Sequence, residues 1–308
     1  MRILIVGAGA IGGYFGGRLK QAGRDVTFLV RPRRAAQLEA TGLVIRSPRG
    51  DASLGPPPVV LAAELPERPP FDLIVLSCKA YDLDDAVASF APAVGPGSAV
   101  LPLLNGMRHL DVLDARFGPD RVLGGQCVIG ATLDDSGRII HLNDSHALTF
   151  GARGHDGGRA ATLLKVLSGA GFEARASENI LLEMWEKWVF LASLAGITCL
   201  MRGSIGDIVA ANGDRLPLEL LTECRSIAET AGFAPRPPFL DRIRPMLTAA
   251  GSPLAASMLR DIERGGPTEG EHILGDLAGR ADGAPPPLLA LACAHLRTYE
   301  KRRRATPH

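Results

Sequence analysis

Neither sign of charge dominates this chain: 34 Lys and Arg stand against 33 Asp and Glu. Without a net field there is nothing to hold nucleic acid or an acidic membrane by bulk electrostatics. The one basic bunch, Lys301 to Arg304, is a short run of the kind that solvates a helix end and complements its dipole. Cysteine is scarce as well, and Cys78, Cys127, Cys199, Cys224 and Cys293 form no CxxC pair and no metal-ligand spacing with histidine. Their odd number and scatter read as reduced thiols in a cytoplasm. Long apolar runs are missing too, since Phe190 to Met201 is too short to span a bilayer. The opening MRILIVGAGAIGG enters a strand and a glycine loop directly instead of reading as an export leader. There is no internal repeat and no low-complexity tract. The expectation is a cytoplasmic protein, neither exported nor membrane-embedded. With 308 residues, 46% of them hydrophobic, it has enough chain for two domains with real cores.

The two halves have different grammar. To about residue 150, short apolar runs (RILIVG, DVTFLV, FDLIVLSC, GSAVLPLL) alternate with helical patterns. Strands apolar on both faces that alternate with helices indicate a parallel sheet covered on both sides. Between Arg121 and Phe150 the pieces VLGGQCVIGATLDD, GRIIHL and HALTFG read as an antiparallel hairpin at one edge of that sheet. From Ser177 the pattern is helical almost throughout, with Gly and Pro punctuation. The expected division is therefore an α/β, Rossmann-type dinucleotide-binding domain over residues 1–176 and an all-α substrate and catalytic domain over 177–308.

The loop Gly7-Ala8-Gly9-Ala10-Ile11-Gly12 follows an apolar strand, opens a helix and begins a βαβ unit. That context turns a weak GxGxxG pattern into a dinucleotide fingerprint, in which the backbone turns tightly and a pyrophosphate faces the helix N-terminus. At the end of the second strand an NAD enzyme would carry Asp or Glu for the ribose hydroxyl. Here Thr27 through Arg34 contain no acid, and Arg31, Arg33 and Arg34 stand there instead. Guanidinium groups match a 2′-phosphate, so the expected cofactor is NADPH/NADP rather than NAD. Lys79 and Asn105 follow two apolar strands at their carboxyl ends, the edge where open α/β sheets bind ligands.

The stretch EMWEKWVFLASLAGITCLM sets Lys187 between the only two tryptophans, Trp185 and Trp188. On a helix turning about 100° per residue, Leu191, Leu194, Ala195 and Thr198 share its face. Lys187 thus heads an apolar stripe. An ammonium in such surroundings releases its proton more readily near neutral pH, and it stabilises negative charge growing on a carbonyl oxygen. Glu269 in GGPTEGEHILG is its candidate partner.

The ordered fragments GAGAIGGYFG, SCKAYD, LLNGM, EMWEKW and SMLRDIERGGPTEGEHI resemble the ketopantoate reductases (2-dehydropantoate 2-reductases), over essentially the full chain. The resemblance implies a Rossmann domain followed by a helical domain akin to that of 6-phosphogluconate dehydrogenases. It implies NADPH-dependent reduction of a 2-oxoacid to a 2-hydroxyacid, ketopantoate to pantoate in pantothenate biosynthesis by default. Motif by motif, Lys187 matches the catalytic lysine and Glu269 the acid that supports it beside the cofactor. Ser257, twelve residues before Glu269, matches the serine on the substrate carboxylate. Lys79 and Asn105 match residues lining the cofactor and substrate cleft, and Arg31 the 2′-phosphate ligand.

The departures are as informative. Where the family usually has asparagines four and eight residues after the lysine, this chain has Leu191 and Ala195. A site lined by them favours a more apolar 2-oxoacid, or one that hydrogen-bonds elsewhere, with Thr198 the available hydroxyl. A paralogue of altered specificity is therefore one alternative, and an NADPH-sensing protein without turnover is another, since a Rossmann fold alone does not imply catalysis. A helical second domain with a long apolar helix often dimerises, so a homodimer is the expected partner state.

Overall fold

The computed structural model describes residues 1–154 and 157–305. It divides into two compact units, Met1–Leu104 with His109–Ile180, and Asn105–Arg108 with Leu181–His308. The short Asn105–Arg108 segment thus groups with the helices, whereas the sequence pattern changes only near residue 176.

In chain order the first unit runs β1 (Arg2–Val6), α1 (Ala10–Gln21), β2 (Asp25–Leu29), α2 (Pro32–Thr41), β3 (Leu43–Arg46), β4 (Ala52–Leu54) and β5 (Val59–Val60). It continues through β6 (Phe71–Leu76), α3 (Leu83–Phe90), β7 (Val94–Pro102), α4 (Arg108–Phe117), β8 (Gly124–Leu133), β9 (Ile139–Gly151), α5 (Arg159–Leu167) and β10 (Glu173–Ala176). Five parallel strands form one sheet in the order β5-β2-β1-β6-β7. Strand order reverses between β1 and β6, where Ile3 pairs with Leu73 and Val6 with Leu76. The carboxyl ends of those two strands are the switch point at which such sheets bind ligands. Ile3, Ile5, Phe28, Leu73 and Val75 are buried, as expected of strands covered on both faces.

The hairpin expected at the edge of this sheet instead belongs to a second sheet. There β8 pairs antiparallel with β9, and the order is β10-β9-β3-β4. Helix α1 explains the arrangement. A Cβ at Gly16 would stand 2.7 Å from the Phe28 ring of the first sheet, whereas one at Gly13 would stand 2.7 Å from Ile139 of the second. The helix is thin on two sides, so a sheet closes on each. Sequence periodicity shows that β8 and β9 pair, but not which helix face they cover.

The second unit is helical: α6 (Ile180–Met201), α7 (Ile205–Ala210), α8 (Arg215–Thr230), α9 (Pro237–Met246), α10 (Ser257–Glu263), a π-helical segment (Glu271–Gly275) leading into α11 (Asp276–Gly279), and α12 (Pro287–Ala305). Helix α6 is buried without interruption from Ala192 through Cys199, as befits a helix apolar all round. Burial pushes the thiols of Cys199 and Cys224 up to about 12, so these cysteines are packing residues. No helix among the described residues is long and apolar enough to cross a membrane.

Candidate active site

The glycine loop lies between the end of β1 and the start of α1. Gly7 has φ +92°, a left-handed conformation that suits glycine. A Cβ at Gly12 would collide with the Gly7 carbonyl and with Ser77 Oγ, whereas one at Gly9 would meet nothing within 4 Å. The loop is therefore tight beneath and open above, as close approach by a pyrophosphate requires. The first turn of α1, at Ala10, Ile11 and Gly12, carries N–H groups without intrahelical acceptors and the positive end of the dipole. Ser77, which sequence reading did not single out, holds the floor: its hydroxyl donates to the Val6 carbonyl at 2.9 Å. These residues fit a dinucleotide.

Arg31 is the N-cap residue of α2, with Pro32 preset for the first turn. Its side chain is 72% exposed and donates to Asp82 at 2.9 Å, with Asp85 at 4.0 Å. The stretch Thr27–Arg34 lacks acids, but the fold brings two, Asp82 from the connection after β6 and Asp85 from the first turn of α3. The Asp82 bond raises the guanidinium's pKa above its ordinary value. An exposed pair of this kind contributes little, about 0–1 kcal/mol, so the fork can exchange Asp82 for a phosphate. Arg34 is more deeply set. Its Nε donates to the Ala8 carbonyl at 3.0 Å, and its Nη1 to Gly137 at 3.0 Å and Gln37 Oε1 at 2.6 Å. Burial lowers its pKa, and its Nη2 is buried with no hydrogen-bond partner. Arg34 thus clasps the glycine loop to α2 and to the β8–β9 turn. Lys79 is exposed just beyond the end of β6.

In the helical unit, α6 carries Lys187, which is half-buried. Its neighbours are fixed on both sides. Glu186, 3% exposed, accepts from the Arg236 backbone N–H at 2.9 Å and from its Nε at 2.8 Å. Trp188 Nε1 donates to the Ile273 carbonyl at 2.8 Å, and the Trp185 ring stacks on Phe233 at 5.3 Å. The backbone that presents Lys187 is thereby tied to α9 and to the π-helical segment that follows Glu269.

Leu191, one turn beyond Lys187, is half-buried, while Ala195 is 3% and Thr198 0% exposed. The expectation that Thr198 offers its hydroxyl to a substrate is corrected. That hydroxyl donates to the Leu194 carbonyl at 2.7 Å and accepts from the Ala256 N–H at 3.3 Å. It also lies eleven residues along the helix, roughly 16 Å at about 1.5 Å per residue, while the lysine side chain leans the opposite way, toward the helix N-terminus. What Thr198 holds is Ala256, the N-cap residue of α10. Ser257 follows as the first residue of that helix and is exposed.

Glu269 is half-buried just ahead of the π-helical segment. The preceding Thr268 is anchored to Glu300, through its N–H at 2.7 Å and its hydroxyl at 2.9 Å. Asn105 is half-buried, and its backbone hydrogen-bonds the imidazole of His272. His272 lies in the same GGPTEGEHILG stretch as Glu269, but nothing in the sequence marks it as functional. The structure therefore joins Asn105 to the Glu269 segment, and Lys187 to that segment through Trp188.

Two family models match the chain: ketopantoate reductase PanE/ApbA over residues 3–155 and ketopantoate reductase PanE/ApbA C terminal over residues 179–300. The chain is 38% identical to an uncharacterized oxidoreductase, YkpB, of Bacillus subtilis, across 97% of this chain and 99% of that one. It is 29% identical to a 2-dehydropantoate 2-reductase of Mesorhizobium japonicum, across 96% and 97%. The crystal structure of 2-dehydropantoate 2-reductase from Geobacter metallireducens superposes with a TM-score of 0.86 at 27% identity, covering 97% of this chain and 99% of that one.

Proposed function

The chain belongs to the ketopantoate reductase family of oxidoreductases, and from that premise we propose that it reduces a 2-oxoacid to a 2-hydroxyacid with NADPH. The observation that carries this reading is Lys187, half-buried on a helix whose neighbouring residues are locked in place. A bare dinucleotide-binding protein has no use for such a lysine. NADPH, when bound, would supply the hydride for the carbonyl carbon. Lys187 hydrogen-bonds the carbonyl oxygen, stabilises the charge that grows on it, and delivers the proton that completes the hydroxyl. Glu269 supports the lysine, Ser257 holds the substrate carboxylate, Asn105 contacts the substrate and Lys79 contacts the dinucleotide. The glycine loop with Ala10 and Ile11 takes the pyrophosphate, and Arg31 takes the 2′-phosphate. The net change is 2-oxoacid plus NADPH and a proton giving 2-hydroxyacid and NADP.

Ketopantoate is the default substrate. A second reading, a more apolar 2-oxoacid, is favoured by one observation: a leucine stands at position 191, half-buried one turn from Lys187. The test is NADPH oxidation on addition of ketopantoate, 2-oxoisovalerate and other 2-oxoacids, repeated with NADH. Turnover of ketopantoate at a kcat/KM above that of the alkyl oxoacids supports the default, and the reverse order supports the second reading. Binding of NADPH without turnover on any 2-oxoacid would leave a cofactor-sensing role.

A further inference from the structure

His272 is 7% exposed and sits within the π-helical segment Glu271–Gly275, three residues after Glu269. Its imidazole hydrogen-bonds the Asn105 backbone. The next residue in that loop, Gly106, has φ +80°, and a Cβ there would stand 3.1 Å from the imidazole Cδ2 and 3.1 Å from the His272 carbonyl oxygen. Ring and loop are packed so closely that a side chain at 106 would crowd the imidazole. The following residue, Ile273, presents its carbonyl to Trp188 Nε1 at 2.8 Å. Two successive residues of one π-helical segment therefore grip the Asn105 loop and the Lys187 helix. A π turn is the device for this, because its inserted residue shifts the register of the groups that follow.

A phenylalanine or leucine would fill the same space without burying a polar ring, and the cost of burying an imidazole is offset here by its bond to the Asn105 backbone. The charged groups facing it are Glu269 and Asp276 on its own segment and Arg108 from the loop. Burial outweighs the two carboxylates and keeps the ring neutral near pH 7.

We propose that His272 is a positioning residue that holds Asn105 and Glu269 in one fixed arrangement by bonding the Asn105 loop to the segment that carries Glu269. This rests on the reading that both residues line the active site. The role needs a donor of the right reach, not the mere volume of a ring. His272→Phe keeps the ring and removes the donor. His272→Asn and His272→Gln together return an amide donor near either ring nitrogen.

The experiment measures amide hydrogen exchange across residues 105–108, the melting temperature, and kcat/KM for whichever 2-oxoacid the wild type turns over. His272→Phe is expected to speed exchange in the loop and to lower kcat/KM by about tenfold, the worth of one such hydrogen bond. At least one amide variant is expected to restore both. Unchanged exchange at 105–108 in His272→Phe would overturn the proposal, as would equal losses in kcat/KM for the phenylalanine and both amide variants. The exchange arm decides the proposal even if the wild type reduces no 2-oxoacid, an outcome that would instead remove the functional reading on which it builds.

Discussion

The hydroxyl of Thr198 accepts a hydrogen bond from the backbone N–H of Ala256 at 3.3 Å, across 58 residues of sequence. The bond sets where α10 begins, and Ser257 is the first residue of that helix. Thr198→Val keeps the shape and leaves the buried Ala256 N–H without its acceptor. The expected cost is about 1–3 kcal/mol, seen as a lower melting temperature, while Thr198→Ser retains most of the stability. In steady-state kinetics the valine variant should raise KM for the 2-oxoacid more than it lowers kcat, since Ser257 is assigned to substrate holding.

Arg31 and Arg34 should behave differently. Arg31→Ala is expected to weaken NADPH binding by about ten- to a hundredfold and NADH binding little, because only the former loses a charge-assisted bond to phosphate. Arg34→Met removes a clasp on the glycine loop and should weaken both dinucleotides to a similar degree. Fluorescence titration of each variant with each cofactor checks the contrast, and a selective loss in the Arg34 variant would move the 2′-phosphate site.

Lys187→Ala is expected to leave dinucleotide affinity nearly intact and to reduce turnover by about a hundred- to ten-thousandfold, the usual worth of a general acid. Lys187→Arg should not restore it, since guanidinium keeps its proton at neutral pH. Single-turnover rates with saturating cofactor measure this, and near-normal rates in either variant would make the lysine structural.

Much of the two candidate elements was legible because they are written in backbone. The GxGxxG loop and the helix of Lys187 are contiguous segments whose local pattern determines their form. What could not be read lies where partners are distant in sequence. Thr198 shares a helical face with Lys187, yet its hydroxyl is used by Ala256. Arg31 stands in a stretch free of acids, yet the fold brings Asp82 to it across 51 residues. His272 reads as one more polar residue in a helix start, because neither the π-helical segment nor the packing of Gly106 against it has a signature in periodicity. The β8–β9 hairpin was recognisable as a hairpin, but its placement depended on which glycines of α1 face which sheet.

Stability should fall on the acid side before the carboxylates titrate. Burial holds both His272 and His146 below the ordinary histidine value. In the unfolded chain these rings take up protons below about pH 6.5, while the folded forms resist. The unfolded state then binds more protons, so stability decreases as pH drops through this range. Thermal melts from pH 7.5 to 5 should show the slope, and His146→Gln should flatten part of it. Asp51, Asp134, Asp207 and Glu271, all held below the ordinary carboxylate values, act only at lower pH. A flat profile down to pH 5 would mean that neither imidazole is held neutral.

The burial pattern of α6 separates two positions that sequence alone treats alike. Leu191 is half-buried, whereas Ala195 is 3% exposed and enclosed in the helical unit. An asparagine at 195 would therefore place an amide in packed apolar surroundings, at a cost of roughly 1–3 kcal/mol if unsatisfied. Leu191→Asn alone is the cleaner probe of substrate choice. If Leu191 faces the substrate one turn from Lys187, the variant should raise kcat/KM for ketopantoate, whose hydroxyl can meet the new amide. It should lower kcat/KM for 2-oxoisovalerate, whose alkyl tail leaves that amide unpaired. The asymmetry matters more than either change, because a site that loses a partner for a buried polar group discriminates more strongly than one that only loses apolar contact. The ratio of the two specificity constants, measured with NADPH affinity unchanged, should shift toward ketopantoate by about ten- to a hundredfold. A ratio that stays put would show that position 191 does not set the substrate, and the departure from the family asparagine would then carry no consequence for specificity.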